Sequence, residues 1–244
     1  MSKKIFVVSD IHGYYTELIN ALDAVGFDKN NPNHIFVSCG DLFDRGNENH
    51  LVYSFVKGLK HKILLKGNHE DMLRRVLLSG RIDSNNVSNG TDITVTQLLG
   101  EDVVGKQGYI NVSAYADKIE EIVTFIDSML NFYETGRYIF VHGWVPIISE
   151  GRDAEINQAW RDVSDSEWKN ARLIGWQETY NVGAIIEGKT IVCGHRPACL
   201  GHIFDSFREP DCSAPFYGKG VIAIDAGTVR SGRVNVLVVD ECET

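Results

Sequence analysis

Five short stretches of this 244-residue chain carry side chains suited to holding metal ions and moving protons. Asp10-Ile11-His12 is the first, Gly40-Asp41-Leu42-Phe43-Asp44-Arg45-Gly46 the second and Gly67-Asn68-His69-Glu70 the third; His142-Gly143 and Gly194-His195 follow far downstream. Taken singly, each has an ordinary structural use: Asp10 could cap a helix, Asn68 could make a turn, and a lone His could be a satisfied polar residue. Together they offer carboxylate, imidazole and amide oxygen. That mixture suits borderline divalent ions such as manganese, iron or zinc, whereas an all-oxygen set would suit calcium or magnesium. So many donors exceed the needs of one tetrahedral catalytic ion, so two ions are implied, with a carboxylate such as Asp41 able to bridge them at roughly 3.5–4 Å. Such a pair clamps an attacking and a leaving oxygen and lowers the pKa of bound water from about 15.7 towards ~7. Phosphate esters are the natural target, because their unaided hydrolysis is slow enough to demand both charge neutralisation and a strong nucleophile.

Each stretch follows an apolar run. Ile5 to Ser9 reads as a buried strand, and Tyr14 to Val25 then places Leu18, Ile19, Leu22 and Val25 at helical spacing. The unit recurs, with a strand over 34–38 and a helix over 50–59, and again with a strand over 62–65, a loop over 66–70 and a helix over 71–78. Strands alternating with helices point to an α/β fold with parallel strands and crossover helices. In open α/β sheets ligands bind at the C-terminal strand ends, where these loops lie. Between residues 79 and 114 the pattern weakens, and the Asn, Ser, Gly and Asp cluster over 83–92 signals a long surface loop, read here as an insertion around 80–114 in a single domain spanning 1–244. A helix over 115–130 and strands over 138–141, 190–193, 221–224 and 234–239 complete the expectation.

Composition narrows the class. Hydrophobic residues make up 43% and charged residues 23% of the chain, which fits a globular protein and disfavours disorder. The net charge of −9, without a dense basic run, makes nucleic acid a poor partner. No uncharged apolar run approaches the roughly 18 residues of a membrane span, and the run after Lys4 is too short for a signal-peptide core, so a cytoplasmic location is expected. Five scattered cysteines, none in a C-x-x-C pair, argue against a disulfide framework or structural zinc.

The motifs DIHG at 10–13, GDLFDRG at 40–46, GNHE at 67–70, VHGW at 141–144 and CGHRP at 193–197, in that order, resemble the phosphoprotein phosphatase branch of the calcineurin-like metallophosphoesterases. The Asn89-Gly90-Thr91 segment and the ending from Ile222 to Val239 look similar to its small bacterial and phage lambda-like members. The resemblance implies a central β-sandwich of mixed sheets flanked by helices. It also implies Asp10, His12 and Asp41 around one ion and Asp41, Asn68, His142 and His195 around the other, with Asp41 bridging and manganese the first expectation for both metals. In the same family His69 protonates the leaving oxygen, Asp44 holds and charges its imidazole, and Arg45 grips the substrate phosphate through its planar fork of donors, with Asn68 also facing the substrate. Hydrolysis by a metal-bridging hydroxide is therefore expected, on phosphoserine, phosphothreonine or phosphotyrosine in proteins, or on a small phosphoester. A dinucleoside polyphosphate hydrolase splitting diadenosine tetraphosphate is the alternative, and a non-catalytic phosphoprotein-binding module is disfavoured because no ligand or acid is missing.

One feature departs from that pattern. Many relatives carry a second phosphate-binding Arg shortly after a Trp before the last metal histidine, whereas Trp176 is followed by Gln177-Glu178; Arg161 or Arg172 could substitute. The last motif lacks the second imidazole of the G-H-x-H common in the wider superfamily, which favours the protein-phosphatase branch. Gly183 to Thr190 matches the G-x-x-x-x-G-K-T spacing letter for letter, but the residues that follow read as a strand where a phosphate-binding loop must open a helix.

Overall fold

The computed structural model describes residues 3–149, 153–205 and 213–241. In chain order its first half runs β1 (Lys3–Val8), α1 (Tyr15–Ala24), β2 (His34–Ser38), α2 (Asn49–Gly58), β3 (Lys62–Leu64), α3 (Asn68–Ser79), α4 (Ser84–Asn89), α5 (Thr91–Leu99) and α6 (Ala116–Asp127). The second half runs β4 (Tyr133–Glu134), β5 (Tyr138–Phe140), β6 (Ile147–Ser149), β7 (Glu155–Ile156), α7 (Asp165–Ala171), α8 (Trp176–Asn181), β8 (Thr190–Cys193), α9 (Cys199–Asp205), β9 (Phe216–Gly218), β10 (Val221–Ala223), α10 (Thr228–Ser231) and β11 (Leu237–Glu241).

Two sheets pack face to face. One has the order β11-β1-β2-β3, with β1, β2 and β3 parallel and β11 antiparallel at the edge. The other has the order β4-β5-β8-β10-β9, with β5, β8 and β10 parallel between antiparallel edges. The period-2 geometry of β1 explains the layering: Ile5 and Val7 point between the sheets, with Val37, Phe140, Val192 and Ile222, while Phe6 and Val8 point outward into the helical layer. A third cluster, built on Ile139, Val141, Trp144, Trp168, Trp176 and Phe216, covers the other face of the second sheet. Buried on both faces, the parallel strands carry the continuous apolar runs seen in the sequence.

Four sequence expectations change in detail. The cluster over 83–92 is not a loop: Asp83 accepts the Asn86 N–H and caps α4, Gly90 turns the chain at φ +79°, and α5 follows at once. Polar composition hid these helices because Asn, Ser and Asp are both capping and loop residues. Helix α3 begins at Asn68 and not at Asp71, since the Glu70 carboxylate accepts the Gly67 N–H (2.7 Å) and holds the first turn in place. The last strand starts at Leu237 and not at Val234, and α6 ends at Asp127. Short strands β4, β6, β7 and β9 and helices α7 to α10 were too brief to register as periodic segments. Residues 183–189 lead straight into β8 with no helix after them, so the phosphate-loop spacing is accidental. Among the described residues no helix is long and apolar enough to cross a membrane.

Candidate metal centre

Every parallel strand delivers a residue of the site from its C-terminal end: Asp10 after β1, Asp41 after β2, Asn68 after β3, His142 after β5, His195 after β8 and Asp225 after β10. Both sheets therefore supply donors to one edge of the sandwich. The backbone there is forced into tight shapes. Asp10, His12, Asp41, Asp44, Arg45 and His195 all have left-handed φ, between 50° and 74°, and Gln107 is the one other described non-glycine residue that does. Such conformations cost on the order of 1–3 kcal/mol each and persist where the surroundings over-determine them. The loops also approach one another closely: a Cβ on Gly67 would lie 2.5 Å from the Asp41 nitrogen, and one on Gly194 would lie 2.0 Å from Asp10 Oδ2.

Ligand-type atoms gather in two groups that share Asp41, one with His12 and His69 and the other with His142 and His195; within each group these atoms all lie within 4.8 Å of one another. The His12 Nδ1–H donates to the Phe43 carbonyl (3.0 Å), which leaves the Nε2 lone pair 3.7 Å from Asp41 Oδ2. The His142 Nδ1–H likewise donates to the Cys39 carbonyl (2.8 Å), so its Nε2 lone pair meets Asn68 Oδ1 at 2.9 Å and Asp41 Oδ2 at 3.4 Å. Backbone carbonyls only accept, so these bonds fix the tautomers. Acceptor atoms that converge with no proton between them are the donor set a divalent ion requires, and second bonds of this kind are what orient metal-binding imidazoles. Burial lowers the pKa values of His12 and His142 and takes His195 to about 4. Burial alone would raise the Asp41 carboxyl, but the imidazoles of His142, His69 and His12 hold it well below the usual range. The residues present fit a pair of divalent cations.

Asp10 stands just outside both groups. Its carboxylate accepts the His195 backbone N–H (2.9 Å to Oδ2) and the Ser9 hydroxyl, and burial together with Asp225 and Asp41 raises its pKa well above the ordinary value. Asp225 is itself pushed up to about 6 by burial and by Asp41. The sequence reading missed Asp225, although Val221 to Ile224 followed by Asp repeats the strand-then-acid signal of Asp10. Three carboxylates in a buried cluster repel one another, and a cation between them relieves that repulsion.

His69 faces the cluster and donates from Nδ1 to Asp44 Oδ2 at 2.7 Å. Burial opposes its charge, but the Asp41 and Asp44 carboxylates outweigh it and raise the imidazole to about 9. Asp44 is fully buried and held by groups the sequence did not reveal. Thr91 Oγ1 donates to Oδ2 (2.9 Å) and Thr94 Oγ1 donates to Oδ1 (2.7 Å), while the Asp44 N–H reaches Asn49 Oδ1 (2.9 Å). The stretch read as a surface insertion thus braces the acid. It also braces Arg45, whose backbone N–H donates to the Asn89 carbonyl (3.0 Å) and whose guanidinium donates to Asn89 Oδ1. Glu70 was part of a quoted motif but had no assigned role; its carboxylate accepts the N–H groups of Asp41, Leu42 and Gly67 at 2.7–2.8 Å and so fixes the loop carrying Asp41. Neither candidate for the second arginine is free. Arg161 pairs with Glu134 at 2.8 Å over the face of Trp160, and Arg172 is buried in an ion pair with Asp71 at 2.6 Å.

Fold and site together describe a two-sheet α/β sandwich with two groups of metal-ligand-type side chains gathered at its strand ends. The calcineurin-like phosphoesterase family model matches residues 3–199, and the chain belongs to that family. The chain is 28% identical over 206 residues to the asymmetrical bis(5'-nucleosyl)-tetraphosphatase PrpE of Bacillus subtilis, covering 78% of each chain. A candidate diadenosine tetraphosphatase of known structure superposes with a TM-score of 0.56 at 15% identity, covering 100% of this chain and 96% of that one. A Saccharomyces cerevisiae serine/threonine phosphatase with similarity to human PP5 superposes at 0.51 with 14% identity, covering 100% and 81%. The fold is that of the metallophosphoesterases, and the protein is a metal-dependent hydrolytic enzyme of that class.

Proposed function

We propose that the chain hydrolyses phosphate esters and anhydrides at a pair of divalent ions, manganese first among them, held by Asp10, His12, Asp41, Asn68, His142 and His195. The observation that carries this is Asp41, the member common to both groups of converging acceptors. When bound, the ions supply positive charge to the phosphoryl oxygens and lower the pKa of a water molecule towards neutrality. The protein's own residues do the rest. Arg45 binds a phosphoryl oxygen from the rim, Asn68 faces the same phosphate, and His69 gives its Nε2 proton to the leaving oxygen. Asp44 keeps the opposite ring nitrogen protonated, which holds the imidazole in its cationic, proton-giving form.

Dinucleoside polyphosphates stand ahead of phosphoproteins as the substrate class. The PrpE relative is named for hydrolysis of a bis(5'-nucleosyl) tetraphosphate, and both arginines that could have completed a two-armed clamp on a phosphomonoester are engaged elsewhere. Rates on diadenosine tetraphosphate and on phosphopeptides, with manganese, zinc or iron added, test this order. A kcat/KM at least tenfold higher on phosphopeptides would reverse it. For the roles, His69→Ala should retain its metal and lose turnover, while Asp41→Asn should lose both; equal metal loss in the two variants would contradict the assignment.

A further inference from the structure

Beside the metal centre a groove of about 860 Å³ runs between α3 and the C-terminal end of α7. Both walls touch the site. Asn68 lies on one side, and on the other Leu173 offers its backbone to the His195 imidazole. Asn68, Met72 and Arg75 are spaced i, i+4, i+7 along α3, so they form one stripe running away from the metals. Side chains on a helix lean towards its N-terminus, which tilts Arg75 back towards Asn68.

The charges in this groove are unevenly engaged. Arg74 is held by Asp127 at 2.6 Å, and Arg172 beneath the groove is held by Asp71. Arg75 is exposed and has no ion pair or side-chain hydrogen bond among the described residues, and Lys169 has Asp165 only at 3.7 Å. Apolar surface lies between these cations, beside the polar Ser79 and Asn85: Leu78 and Leu173 are each 56% exposed, with Met72 alongside. An uncommitted guanidinium next to exposed aliphatic surface matches a ligand that is anionic and flat at once.

We propose that this groove binds the part of a nucleoside polyphosphate beyond the bond that is cut. Arg75 grips a second phosphate there, and the base lies against Leu173 and Met72. This deepens the reading of the neighbouring centre as a phosphoanhydride hydrolase and rests on it. A planar fork of donors suits phosphate, and a guanidinium also stacks on aromatic rings.

The test uses the manganese-loaded protein and its Arg75→Ala and Arg75→Lys variants. KM for diadenosine tetraphosphate should rise at least tenfold in Arg75→Ala and recover only in part in Arg75→Lys. p-Nitrophenyl phosphate has no second phosphate for Arg75 to meet and should keep its KM and kcat within twofold. Calorimetric titration with a methylene-bridged, uncleavable analogue of the dinucleotide should show the same tenfold loss. Equal effects on both substrates, an unchanged dinucleotide KM, or an effect confined to phosphopeptides would overturn the proposal. If the wild type cleaves p-nitrophenyl phosphate but neither cleaves the dinucleotide nor binds its analogue, the groove assignment fails and the metal centre stands. Arg75-dependent binding of the analogue without turnover of any phosphate compound would leave the groove and remove the hydrolytic reading.

Discussion

Replacing Thr94 by Val removes one hydroxyl and keeps the shape, and the structure sets how much should be lost. The Thr94 hydroxyl is fully buried, donates to Asp44 Oδ1 at 2.7 Å and accepts the Asp44 N–H at 3.1 Å. Hydrogen bonds to charged groups are worth about 1.5–3 kcal/mol, and a buried carboxylate oxygen left without its donor costs a similar amount. Over a domain of this length that is a fall in Tm of roughly 3–12 °C at ~2–4 °C per kcal/mol. Asp44 would also be free to turn away from His69 Nδ1. General acid catalysis supplies about 10²–10⁴-fold, so partial disorder of the pair should lower kcat on p-nitrophenyl phosphate by roughly tenfold while metal content holds. Thr94→Ser keeps the donor and should recover most of both losses. Differential scanning calorimetry and steady-state rates with manganese make the comparison. A Thr94→Val protein with unchanged Tm and unchanged kcat would refute the idea that this helix braces the acid.

Three further outcomes follow from the same structure. Gly194→Ala puts a Cβ 2.0 Å from Asp10 Oδ2 and 1.8 Å from Ser9 Oγ, so the loop must shift; metal affinity measured by equilibrium dialysis should drop at least tenfold, and unchanged affinity would show that the loop is not part of the centre. Glu134 is held down to about 2 by its hydrogen bonds to Arg161 and Lys189, against an ordinary value of 4.5. A depressed carboxylate stabilises the fold above pH 4.5 and loses that contribution as pH falls from there towards 2. Arg161→Met should therefore lower Tm at pH 7 by a few degrees, since the half-exposed pair is worth about 1 kcal/mol, and the gap should narrow below pH 4.5 and close as pH falls through about 2. Stripping metal with a chelator should lower Tm, and returning manganese at a hundred times its Kd should restore about 2.7 kcal/mol; a Tm indifferent to the ion would count against the centre.

Much of the centre could be read from the sequence because β1, β2, β3, β5 and β8 are apolar runs that end abruptly in Asp, Asn or His. The strand ends that a parallel sheet aligns were thus visible one at a time. The two-sheet arrangement itself came from the family resemblance, since nothing local distinguishes a continuous apolar run in one sheet from one in two. The braces around Asp44 were invisible. Thr91 and Thr94 lie about 50 residues from their partner, in a stretch whose polar composition describes a loop as well as a capped helix. Asp225 was legible and passed over. The engagement of Arg172 by Asp71 has no sequence signal at all, because the two lie 101 residues apart and meet only when α3 packs beside α7.

The left-handed residues at the strand ends bear on how such a chain would change once its chemistry no longer mattered. Asp10, His12, Asp41, Asp44, Arg45 and His195 hold shapes that glycine would adopt without penalty. A copy released from its task would find its easiest gain in firmness at Arg45, the exposed one of the six, whereas the buried carboxylates of Asp10, Asp41 and Asp44 still anchor hydrogen bonds. Descendants that have become sturdier and silent should therefore carry glycine or asparagine in place of Arg45 before the hydrophobic interior shows any wear.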